Sequence, residues 1–130
     1  MHVYPLMILE RHLDTFGHVN NATYLELFEE ARWDMIHRLG YGLEKILSSH
    51  QGPVVLEVSV RFQRELLLRS SVVIKTEVIS RDRKISTLRQ SIEGDQGKVY
   101  ATAEFKIGLM DLEKRCLIDP TPEWKAALGG

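Results

Sequence analysis

Between Asp14 and Asn21 the chain places a carboxylate, a glycine, an imidazole and two side-chain amides in one short run, Asp14-Thr15-Phe16-Gly17-His18-Val19-Asn20-Asn21. A carboxylate can take a proton from an attacking water or attack an electrophilic carbon itself. By spacing alone, however, an Asp ahead of a helix is normally a turn former or a cap. His18 is able to position a carbonyl oxygen, and an ordinary loop histidine is the competing reading. Gly17 lets the backbone turn and approach a ligand closely. His12, Asp14 and His18 do not have the spacing of a helical ligand pair, and metal ligands on loops normally bring a further hydrogen-bond partner. No metal is expected there. Cys116, the single cysteine, excludes an internal disulfide and reads as a small apolar residue rather than a nucleophile.

The elements around this run must hold it in place. Val3 to Leu9 suits a strand, and the Gly, Asn, Asp and Thr content of Asp14 to Asn21 is that of a loop. Asn20 or Asn21 is the expected N-cap of a helix running to about Leu39, where Gly40 ends it. Tyr24, Phe28, Ala31, Met35 and Leu39 recur at spacings of three and four, with Leu25, Leu27 and Ile36 widening the stripe. Glu26, Glu29, Glu30 and His37 lie opposite, with Trp33 among them. So wide an apolar arc calls for a curved partner. Val54, Leu56, Val58, Val60 and Phe62 alternate with Val55, Glu57, Ser59, Arg61 and Gln63, a strand period. Ser71 to Ser80 and Lys84 to Glu93 follow, joined at Arg81-Asp82-Arg83. The turn Gly94-Asp95-Gln96-Gly97 then leads to Val99, Ala101, Ala103, Phe105, Ile107 and Leu109 on one face. The predicted fold is α+β, one long helix wrapped by an antiparallel β-sheet of about five strands, in a single domain over residues 1–130.

Composition narrows the function class. Hydrophobic residues make up 44% and charged residues 27% of the 130 residues, which is ordinary for a globular chain. A formal net charge of -1 gives no basic surplus for nucleic acid. Apolar runs are far too short to span a membrane, and Met1-His2-Val3-Tyr4-Pro5 lacks a signal-peptide layout. A cytoplasmic location is expected. One helix on one sheet leaves sheet edges and the far face uncovered, and Trp33 sits unexplained on the polar side, so a homo-oligomer is expected.

Asp14-Thr15-Phe16-Gly17-His18-Val19-Asn20-Asn21-Ala22-Thr23-Tyr24-Leu25, followed by Phe28-Glu29-Glu30-Ala31-Arg32, resembles the signature of the 4-hydroxybenzoyl-CoA thioesterase family of hotdog-fold proteins. Weaker similarity continues through Arg61-Phe62 and Ala101-Thr102-Ala103 to about Asp111. The chain departs from the pattern at Leu68-Arg69-Ser70, where the family commonly has a Gly-Asp turn, and at Glu113-Lys114-Arg115, where a glycine is often found. The resemblance implies a hotdog fold, homodimers or homotetramers with active sites at the dimer interface, acyl-CoA or acyl-carrier-protein thioesters as substrates, and no cofactor.

It also implies roles. Asp14 is the general base or the nucleophile. The Asn21 backbone N–H, at a helix start whose first amides lack partners, faces the thioester oxygen. Gly17 and His18 complete the catalytic loop, and Asn20 orders the loop or caps the helix. Tyr24 is carried as a substrate-side residue, although the helical period places it and Phe28 toward the core. Arg61, Arg83 and Lys84 are candidates for the CoA phosphates, against a solvated face. Some hotdog enzymes use a glutamate on the long helix, which makes Glu29 the residue to check there. An acyl-CoA thioesterase is the expected function. A thioesterase acting on acyl-carrier-protein and a non-catalytic acyl-thioester-binding protein are the alternatives. Acyl chain length and aromatic or aliphatic preference are not legible in these residues.

Overall fold

The structure, a computed structural model, describes residues 1–15 and 17–129. Strand β1 (His2–Met7) leads through a short 3-10 turn at Glu10–His12 and the Asp14 loop into helix α1 (Asn21–Arg38). Helix α2 (Leu43–Ser49) then precedes strands β2 (Gln51–Phe62), β3 (Ser71–Asp82), β4 (Ile85–Glu93), β5 (Val99–Asp111) and β6 (Cys116–Ile118), and helix α3 (Pro122–Ala127) closes the chain. The sheet is antiparallel in the order β1-β3-β4-β5-β2. It has one strand more than the sequence suggested. Strand β6 pairs Leu109–Asp111, the stretch of β5 beyond the last β4 partner at Gly108.

Helix α1 starts where the cap chemistry says it should. Asn20 is in an extended conformation and its side chain accepts the Ala22 N–H at 2.8 Å. At the other end Gly40 takes φ +96° and donates its N–H to the His37 carbonyl at 3.1 Å, a left-handed exit that glycine makes without a Cβ penalty. Tyr24, Leu27, Phe28, Ala31, Met35 and Ile36 are buried against Ile74, Leu88, Ile92, Ala101, Phe105 and Ile107 of the sheet. Phe28 meets Phe105 edge to face at 5.9 Å.

Three features depart from the sequence reading. The alternation of β2 does not run unbroken: Val55 opposes Ile107, but a bulge follows and Glu57 opposes Lys106. Paired residues share a face, so Pro53 and Val55 lie on the core side before Leu56, and Val58, Val60 and Phe62 after it. Secondly, the far face of the sheet, expected to be left uncovered, is lined with charged pairs: Lys106–Glu57 at 3.1 Å, Lys75–Glu93 at 3.0 Å and Arg89–Glu104 at 3.7 Å. Edge strand β2 carries uncovered apolar side chains on the core side, where Val55, Val58 and Phe62 are each more than 40% exposed. Thirdly, the chain beyond Asp111, for which the sequence reading named no element, carries β6 and α3: Trp124 of α3 is buried against Tyr41, ring centres 5.4 Å apart.

Both departures from the family pattern keep the backbone that glycine would favour. Arg69 takes φ +64° and Arg115 φ +58°. No helix among the described residues is long and apolar enough to cross a membrane.

Candidate active site

The Asp14 loop is a closed unit. Leu13 and Val19 form a β-bridge, the Asp14 N–H donates to the His18 carbonyl at 2.8 Å, and the Gly17 N–H donates to the Asp14 carbonyl at 3.1 Å. The His18 N–H in turn donates to Asp14 Oδ1 at 3.3 Å, so the carboxylate is tied to the same turn. Asp14 is half-buried. Gly17 takes φ +80°, and among the described residues no atom beyond its chain neighbours lies near the position of a Cβ, so conformation rather than crowding calls for glycine. Phe16 lies outside the described residues.

Below the loop, Val19 and His12 are buried, and the Leu9 N–H donates to His12 Nδ1 at 2.9 Å. A ring nitrogen that accepts carries no proton, so His12 holds its proton on Nε2. The 3.5 Å approach of Arg11 Nε to that Nε2 is then a contact between two donors and not a hydrogen bond. His12 serves the turn, and no cluster of three or more potential metal ligands occurs among the described residues.

The loop delivers the chain to the start of α1. The Ala22 N–H is consumed by Asn20 and the Tyr24 N–H by the Asn20 carbonyl at 3.2 Å. The Asn21 N–H has no partner among the described residues, and Asn21 itself is exposed. Backbone dipoles converge on that amide, and no acidic residue occupies the first turn.

Tyr24 is buried with its hydroxyl satisfied: it donates to the Arg64 carbonyl at 3.2 Å and accepts the Leu66 N–H at 3.3 Å. Phe62 lies edge-on to its ring at 5.0 Å. Burial, the main cause, raises the phenol above its usual range, and the nearby Glu65 charge acts in the same direction. Tyr24 therefore clamps the β2–β3 connection to α1. Glu65 in that connection reaches back to the loop, its Oε1 lying 2.5 Å from His18 Nδ1. Nothing local in the sequence marks Glu65, since it meets His18 only through the fold.

The structure thus gathers Asp14, Gly17, His18, Asn20, Asn21 and Tyr24 at one end of the sheet, where Met7 pairs with Ser71. It does not bring Arg83 and Lys84 there. They form the β3–β4 turn at the other end of the twelve-residue strand β3, roughly 35 Å away at about 3.3 Å per residue. Together with Ser86, Leu117 and Trp124 they line a groove of about 1050 Å³. Arg61 lies at the site's end of the sheet, opposite Thr102 and on the face away from α1. Arg32 of the motif is a core residue: it donates to Gln90 Oε1 at 3.1 Å and stacks over Phe105 at 4.1 Å, and burial lowers its guanidinium to about 10. Glu26, Glu29 and Glu30 are all exposed, and Glu30 accepts the Tyr4 hydroxyl at 2.6 Å.

Known proteins share this fold. The long-chain acyl-CoA thioesterase FadM of Escherichia coli is 31% identical over 103 residues, covering 78% of this chain and 77% of that protein. The crystal structure of YbaW, a probable thioesterase from Escherichia coli, superposes with a TM-score of 0.85 at 26% identity, over 98% of this chain and 96% of that one. A hypothetical protein of Staphylococcus aureus in complex with CoA shares the fold, with a TM-score of 0.90 at 15% identity over 98% of this chain and 80% of that one. The model of the thioesterase-like superfamily matches residues 9–128, well past Asp111 where the similarity read from the sequence stops. A long helix in the concave side of an antiparallel sheet is the hotdog fold, and with the superfamily matched over nearly its whole length the chain belongs to the thioesterase-like superfamily as a thioester hydrolase.

Proposed function

We propose that this chain hydrolyses acyl-CoA thioesters at the Asp14 loop. The observation that carries the reading is the juxtaposition of two complementary groups. The Asp14 carboxylate is held in a turn that feeds directly into α1, whose Asn21 N–H is left without a partner among the described residues. Hydrolysis needs a base or nucleophile on one side of the carbonyl and a donor for the oxygen that becomes negative on the other. Asp14 supplies the first and the Asn21 amide the second, a donor of a kind whose loss costs about 3–4 kcal/mol of transition-state stabilisation. Gly17 and His18 shape the loop around the acyl carbonyl, Asn20 holds the helix start, and Tyr24 holds the connection behind it. The 31% identical relative acts on long-chain acyl-CoA, which supports a CoA thioester with an aliphatic chain over the 4-hydroxybenzoyl class that the motif resembles.

The active assembly is a homodimer formed through β2. Among the described residues nothing pairs with its outer edge, and its core-side Val55, Val58 and Phe62 are exposed, which makes it a surface for strand addition by a second copy. An antiparallel pairing of two β2 strands sets the Phe62 end of one against the Gln51 end of the other. The Arg83–Lys84 turn of one protomer then faces the Asp14 end of its partner. That arrangement is how these basic residues serve a CoA phosphate, since within one chain they lie at the wrong end.

Asp14→Asn tests the centre. It keeps size and the hydrogen bond from His18 while removing the charge, so kcat on acyl-CoA falls about 10²–10⁴-fold with fold and oligomer intact. Wild-type turnover in this variant refutes the assignment. A panel of short, medium, long and aromatic acyl-CoAs, run alongside acyl-carrier-protein thioesters, identifies the substrate.

A further inference from the structure

The connection between β2 and β3 is pinned on both sides of one residue. The Gln63 and Arg64 N–H groups both donate to the Tyr100 carbonyl, at 2.9 and 3.0 Å. The Arg64 carbonyl and the Leu66 N–H both bind the Tyr24 hydroxyl, and the Leu66 side chain is fully buried. Between them Glu65 projects outward, with its carboxylate against His18 Nδ1. Two anchored main-chain segments therefore aim one acidic side chain at one ring nitrogen of the loop that also carries Asp14.

We propose that Glu65 is a positioning residue for His18. It accepts the proton on Nδ1, fixes the plane of the imidazole, and so presents Nε2 to the acyl thioester bound beside Asp14. The inference rests on the reading of the Asp14 loop as the hydrolytic centre. A histidine side chain on an exposed loop samples several rotamers and two tautomers, and a carboxylate on one nitrogen selects both. The pair does little for stability, because His18 and Glu65 are 55% and 47% exposed and solvent screens such contacts. The backbone anchored on either side holds Glu65 against the ring, so the contact itself serves orientation rather than stability. Tyr24 then has a reason to carry its hydroxyl within an apolar stripe.

The test is a double-mutant cycle on the full-length protein with an acyl-CoA substrate, using Glu65→Ala, Glu65→Gln, His18→Ala and the Glu65→Ala/His18→Ala pair. Glu65→Ala lowers kcat about tenfold with KM changed less than about twofold, and Tm stays within about 2 °C of wild type. Glu65→Gln, which keeps an oxygen to accept the Nδ1 proton, recovers most of the loss. In the His18→Ala background Glu65→Ala has no further effect. Independently of activity, nitrogen-15 NMR finds the His18 proton on Nδ1 in the wild type and the tautomers mixed in Glu65→Ala. Additive effects in the cycle, or an unchanged His18 tautomer, overturn the proposal. Failure of the wild type to hydrolyse any acyl thioester would instead remove the thioesterase reading, with the NMR comparison still deciding the Glu65–His18 pair.

Discussion

Removing the hydroxyl of Tyr24 is the most informative single change. Tyr24→Phe keeps the ring, which is 4% exposed, and its edge-on contact with Phe62 at 5.0 Å. It deletes both the donor to the Arg64 carbonyl and the acceptor for the Leu66 N–H. The two losses are unequal. Arg64 is exposed, so its carbonyl recovers a water, whereas Leu66 is fully buried and its amide does not. Orphaning a buried amide costs about 1–3 kcal/mol. At 3.2 and 3.3 Å the bonds are long for their type, which argues for the lower part of that range. A phenyl ring is also less costly to bury than a phenol, which offsets a few tenths. The net expectation is a loss of about 1–2 kcal/mol. For 130 residues, an unfolding entropy of about 2.1 cal/mol/K per residue converts this to a fall in Tm of about 4–7 °C. Calorimetry measures it directly. Activity should fall as well, by less than in Glu65→Ala, because the connection is loosened while the carboxylate remains. A Tm within about 1 °C of wild type refutes the clamp and, with it, the anchoring of Glu65.

The turn between β5 and β6 offers two further tests. Arg115 pays for its left-handed φ of +58° at an exposed position, a conformation costing a residue with a Cβ about 1–2 kcal/mol; Arg115→Gly, partly offset by the extra freedom of glycine when unfolded, should raise stability by about 0.5–1 kcal/mol in urea titration, and a destabilised variant counts against the geometry. In the same turn Asp111 accepts the Lys114 and Glu113 N–H groups at 2.9 Å each, and the Lys114 amide first of all holds its carboxyl below the usual value of 3.8. A carboxyl with a depressed folded pKa stabilises above its unfolded value and loses that contribution as pH falls through the folded one. Asp111→Asn should therefore flatten the acid limb of a Tm-against-pH curve below 3.8; an unaltered limb excludes the turn as a contributor.

Much of what places the site is local, and local features are what a sequence displays. The loop composition from Asp14 to Asn21, the Asn20 cap, the Gly40 exit and the 3.6-residue stripe from Tyr24 to Met35 all involve neighbours within a turn or two, and the structure contains each of them. The hairpin strands and the inward face of β5 were legible for the same reason, since a period of two is written residue by residue. The motif from Asp14 to Arg32 likewise led to the superfamily, and so to the reaction class.

Other features were settled only when distant segments met. The bulge at Leu56 leaves no local trace, because the apolar alternation runs straight through it and only pairing with Ile107 and Lys106 reveals the slip. The motif's Arg32 became a core residue because Gln90 and Phe105 arrived beside it from two other strands. Arg83 and Lys84, candidates for the CoA phosphates through the family resemblance, are carried by β3 to the end of the sheet away from the Asp14 loop of their own chain. Glu65 was invisible beside His18, 47 positions away, until Tyr24 anchored the residues on either side of it. Periodicity and caps are short-range and survive in one dimension. Register, clamps and the meeting of a carboxylate with an imidazole depend on which chain segments become neighbours, and packing decides that.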